Sequence, residues 1–137
     1  MVLAACGSGG DSADSACERP AAAPESELAL MPPGVSLDDV ATVTEVSEDE
    51  RHTTVEAVAR KPLDELTVEI QDAVTAGGYR PGGMDNEGHE AEVFFTTASG
   101  SVAAGQAEVK RRGDCEGEWE IELVLVDRNA TASPSPD

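Results

Sequence analysis

Glu118-Trp119-Glu120-Ile121-Glu122-Leu123-Val124-Leu125-Val126 decides the fold of this chain. Trp119, Ile121, Leu123 and Leu125 share one parity, and Glu118, Glu120 and Glu122 share the other. A period of two places successive side chains on opposite faces of a strand. One face is apolar and the other charged, which is the signature of an antiparallel sheet packed on one side and wet on the other. Something else in the chain must cover the apolar side.

The cover is legible upstream. Leu63, Leu66, Ile70, Ala73 and Val74 recur at helical spacing and form one apolar stripe. Pro62 opens this helix, because a first-turn residue needs no N–H partner. Asp64 and Glu65 sit in the first turn, where the helix dipole favours negative charge. Gly77-Gly78 ends it, since glycine readily takes the left-handed cap.

The remaining elements fit around this pair. Val40–Ser47 reads as a strand, with Val40, Thr42, Thr44 and Val46 in alternation. An acidic turn at 47–51 leads to a second strand, Thr53–Arg60, with Val55, Ala57 and Ala59 on one face. Tyr79–Gly88, rich in glycine, reads as a loop. Glu90–Thr97 alternates, with Ala91, Val93 and Phe95 against Glu90, Glu92 and Phe94. Val102–Arg111 fits either a strand with a bulge or a short helix. Residues 113–117 read as a turn. The expected fold is α+β: an antiparallel sheet of about five strands, in ββαβββ order, with one helix on one face as a two-layer sandwich. The expected layout is a signal remnant at 1–5, a flexible tether at 6–34, a single domain at 35–128 and a disordered tail at 129–137. Leu28, Leu30 and Met31 are the first tether residues able to pack.

Composition bounds the function. Twenty-eight acidic and 9 basic residues give a formal charge of −19. Such a surface repels phosphate backbones and anionic headgroups, so nucleic acid is not an expected partner. It serves solubility, and it also suits cations or a basic partner. Aromatics are only 3 % of the chain, so aliphatic residues must fill the core.

Leu3-Ala4-Ala5-Cys6 presents a large aliphatic residue, two small ones and a cysteine, followed by the spacer Gly7-Ser8-Gly9-Gly10. Over residues 3–10 the chain resembles the small lipoproteins of high-GC Gram-positive bacteria. The resemblance implies cleavage before Cys6, a diacylglyceryl group on its thiol, and anchorage on the extracytoplasmic face of the cell membrane. The glycine-serine run would let the domain clear the bilayer. A signal peptide has a basic segment and an apolar stretch of about 7–15 residues. Neither precedes Cys6 here, so the reading expects an upstream start, with Met1 a misassigned initiator. The alternative is an acidic cytosolic protein with a chance L-A-A-C. With Cys6 lipidated, Cys17 and Cys115 remain, and an even remainder in an exported protein suggests a disulfide. Closing so long a loop is worth about 4–5 kcal/mol in the chain-entropy model.

Candidate chemistry is sparse. His52 and His89 are the only histidines, His52 at a strand start and His89 at a loop end; no G-x-S-x-G occurs. Asp85, Glu87 and His89, with Asn86 and Glu90 beside them, crowd one glycine-bearing loop and are the weak candidates for a metal site. The spacing of a known calcium loop is absent. Tyr79 and Arg80 are the candidate ligand contacts in the loop after the helix. The sequence reading is a monomeric, non-enzymatic envelope lipoprotein without a cofactor, whose domain binds a partner protein or small molecule. A small envelope hydrolase is the alternative.

Overall fold

The computed structural model describes residues 19–97 and 103–126. The elements run α1 (Glu25–Leu28), β1 (Thr42–Glu48), β2 (His52–Ala59), α2 (Leu63–Thr75), β3 (Arg80–Asn86), β4 (Glu90–Thr96), β5 (Ala103–Arg112) and β6 (Cys115–Val126). The six strands form one antiparallel sheet in the order β1-β2-β6-β5-β4-β3. After the β1–β2 hairpin, α2 carries the chain to the far edge. The chain then meanders back until β6 slots in beside β2.

The alternation in the quoted stretch has the expected result. Ile121, Leu123 and Leu125 are buried, and each heads a cross-strand row. One such row is Val55, Leu123, Ala107 and Val93; the next is Ala57, Ile121, Val109 and Ala91. Leu63, Leu66, Ile70 and Val74 of α2 pack on this layer, with contacts concentrated on β3 and β4. Val35 and Leu37 complete the core from the segment ahead of β1. The helix begins one residue later than read: Pro62 takes the cap position, and its carbonyl receives Leu66 N–H at 2.9 Å. Gly78, at φ 101°, provides the left-handed exit.

Three expectations need correction. The sheet has six strands, and the additional one is β3, the supposed loop at 79–88. Its proline and paired glycines have low strand propensity, but on an edge Pro81 need not donate to a second neighbour. Pairing with β4 imposes the extended form. Second, β6 starts at Cys115, so residues 115–117 belong to the strand and the turn shrinks to Gly113-Asp114. Third, residues 23–28, within the segment read as tether, are built onto the sheet's β1 edge. Ala23 N–H donates to the Val43 carbonyl at 2.8 Å, and Val46 N–H donates to Glu27 Oε1 at 3.1 Å. These bonds occupy edge groups that would otherwise template another strand. The segment left open between strand and helix resolves as strand over Ala103–Arg112, with a register irregularity opposite Phe95 and Thr96. The expectations for Cys6, Cys17 and the tail at 129–137 lie outside the described residues.

Candidate functional site

The face of the sheet away from α2 is where the chain places its charge. Each strand contributes one acidic residue at the same level. Glu45 lies opposite Glu56, Glu56 opposite Glu122, Glu122 opposite Glu108, Glu108 opposite Glu92, and Glu92 opposite Asp85. A row of carboxylates thus crosses all six strands. Like charges directly opposed across a ladder destabilise it. The core side of each strand fixes this arrangement, because a slip of one residue would bury the acids.

The levels on either side differ. Towards the β5–β6 turn come Val58, Glu120, Lys110 and Glu90. Lys110 Nζ lies 3.9 Å from Glu108 Oε1 and gives this part of the face its cation. An open groove of about 290 Å³ runs here, bounded by Glu56, Glu108, Lys110 and Glu122. On the other side come Thr54, Val124, Gln106 and Phe94. Phe94 is 37 % exposed, and with Val124, Val126 and His52 it borders a second groove of about 440 Å³. The open face is therefore a carboxylate row with an apolar shelf along one side.

Glu118 departs from the expectation that it shares this solvated face. It is 5 % exposed. Arg112 Nη1 donates to its Oε1 at 2.7 Å, and Arg60 Nη2 approaches Oε2 at 2.6 Å. The hydrogen bond from Arg112 holds its carboxyl below the usual glutamate range; burial works against this, and Arg60 adds to it. This end of the face is charge-compensated, whereas the central row of six acids has Lys110 beside Glu108 as its one ion pair among the described residues.

The residues singled out from sequence fall in separate places. Tyr79 is buried, and its hydroxyl donates to the Val126 carbonyl at 2.8 Å, so it serves the core. Arg80 is exposed at the start of β3. Glu87, His89 and Glu90 bring three possible ligand atoms within 4.8 Å of one another at the exposed β3–β4 turn; Asp85 is not among them. Asn86 donates to Asp64 Oδ1 and accepts from Gly88 N–H. His52 Nδ1 lies 3.5 Å from Asp49 Oδ1. Backbone N–H groups of Arg51 and His52 also bond that carboxylate, and they lower its pKa. His52 thus opens β2 beside the β1–β2 turn, and His89 lies in the β3–β4 turn; both are exposed. Cys115 is buried and disulfide-bonded; both other cysteines of the chain lie outside the described residues.

Compared with protein-family models, curated proteins and solved structures, the chain matches none. Sequence reasoning missed the carboxylate row. The acids were visible strand by strand, but their alignment depends on strand order and register. The signal available was the repeated placement of glutamate on the outward parity of β4 and β6.

Proposed function

We propose that this protein is a non-enzymatic binding domain of the cell envelope, held on the outer face of the cytoplasmic membrane by lipid on Cys6, and that its open sheet face receives the partner. The observation that carries the binding role is that face. Six strands align their acids there at a cost in sheet stability, and an exposed apolar shelf runs beside them. A sheet maintained only for solubility has no need to align like charges, since alternating signs would serve as well. The exposure of His52 at the start of β2 and of His89 in the β3–β4 turn supports a non-enzymatic reading. No helix among the described residues is long and apolar enough to cross a membrane, so membrane attachment in this reading falls to the lipid.

The test is fractionation of cells carrying the native gene and its Cys6→Ser variant. The wild type should sediment with membranes and the variant should become soluble. If both are soluble, or both sediment, the anchor reading is wrong.

A further inference from the structure

We infer that the partner presents a basic amphipathic helix, which lies across the strands along the carboxylate row. This rests on the binding role proposed above and names the chemistry of the occupant. The argument is one of charge and spacing. Glu56, Glu122, Glu108 and Glu92 stand on four adjacent strands, β2, β6, β5 and β4. Neighbouring strands lie about 4.8 Å apart, so the row repeats at about that distance and extends about 14 Å. A helix advances about 1.5 Å per residue and brings a side chain back to the same face every three or four residues, at about 4.5–6 Å. An extended segment repeats its face at about 6.7 Å and drifts out of step. Two to three turns of helix therefore match the row, with lysine or arginine on one stripe.

The second stripe follows from the shelf. Phe94 and Val124 lie one level from the row, beside a groove of about 440 Å³. A helix seated over the acids would place an adjoining apolar stripe against them. Burying Phe94 removes exposed apolar surface, which drives association without regard to salt. The charged stripe sets orientation and speeds encounter, and its contribution falls as salt rises. Lys110, on the other side of the row, disfavours a cationic side chain there and so fixes which way the helix faces.

The experiment measures fluorescence anisotropy of two synthetic peptides of about 15 residues on the full-length protein at about 0.1 M salt. Both have the same lysine and leucine content. One places lysines and leucines on adjoining helical stripes; the other carries a central proline that breaks the helix. The first should bind saturably and the second at least about tenfold more weakly. Glu108→Gln with Glu122→Gln should weaken the helical peptide about tenfold, and Phe94→Ser should weaken it further. Glu48→Gln with Glu50→Gln removes the same charge at the β1–β2 turn and should change affinity less than about twofold. The two glutamate changes relieve like-charge opposition and give up only the exposed Lys110–Glu108 pair at 3.9 Å, so the fold should be kept, which circular dichroism of each variant checks. Equal loss in both double variants, equal binding of both peptides, or absence of saturable binding would overturn the inference. None of these outcomes alters the membrane fractionation of the Cys6 variant, so the two readings fail separately.

Discussion

Glu108 on β5 stands directly opposite Glu122 on β6, at the centre of the open face. Glu122 also faces Glu56 across its other edge. Two like-charge oppositions therefore meet at one side chain, and each costs about 0.2–1 kcal/mol relative to a neutral pair. Glu122→Gln should stabilise the domain by about 0.5–1 kcal/mol, raising its Tm by several degrees. Calorimetry at low and high salt checks this. The gain should shrink as salt screens the wild-type repulsion. A variant less stable than wild type at low salt would show that the glutamates are not opposed as described.

Glu118 makes the opposite prediction. Its carboxylate is buried between Arg112 and Arg60, and its pKa is lowered chiefly by the Arg112 hydrogen bond. A carboxyl whose folded pKa lies below its unfolded value adds stability that is fully present above the unfolded value. That stability is lost as pH falls through the folded one. The domain should therefore lose stability below about pH 4.5, the ordinary value for glutamate. Glu118→Gln should destabilise by about 1–3 kcal/mol at neutral pH and flatten this acid limb. Arg112→Ala should cost more than Arg60→Ala, because the Arg60 side chain is 60 % exposed and solvent screens its share. Denaturant unfolding as a function of pH separates the three.

Gly105 tests the core beneath the face. It pairs with Leu125, and a Cβ built there would stand 2.6 Å from Leu125 Cδ2 and 2.7 Å from the Val124 carbonyl oxygen. The leucine can turn, but the carbonyl belongs to the sheet. Gly105→Ala should cost about 2–3 kcal/mol through displaced backbone. The loss should appear in the unfolding midpoint, and faster amide exchange should be confined to β5 and β6. A change under about 0.5 kcal/mol would mean that the strands separate more easily than this packing allows.

What the sequence disclosed and what it hid divide along a physical line. Glu118–Val126 and Leu63–Thr75 were legible because their apolar residues repeat at the period of their own element. Val93 and Phe95 on β4 were placed on the buried face for the same reason. Arg80–Asn86 was not legible as strand. Its sequence favours a turn, and only pairing with β4 makes it extended. Residues 20–28 resemble a linker in composition, yet two backbone groups of β1 find partners there. The carboxylate row was hidden for a third reason. Parity along a strand is local, but alignment between β2 and β6 joins residues far apart in the chain. Glu118 shows the same limit: parity assigns its face, and only the fold brings Arg60 over it.

Tyr79 distinguishes a core role from a ligand role. The sequence makes it a contact in a glycine-rich loop, whereas in the fold it is 4 % exposed and donates to the carbonyl of Val126 across 47 residues of chain. That bond ties the exit of α2 to the end of β6. Removing the hydroxyl while keeping the ring leaves the packing intact and leaves the Val126 carbonyl without this donor. Tyr79→Phe should therefore cost about 0.5–1.5 kcal/mol. Tyr79→Ala should cost about 3–5 kcal/mol, because a large side chain leaves a cavity that the sheet cannot fill. In both variants the helical peptide should bind the folded fraction as it binds wild type, since the open face is untouched. Stability unchanged in Tyr79→Phe, with peptide affinity reduced, would return Tyr79 to the role its sequence context first suggests.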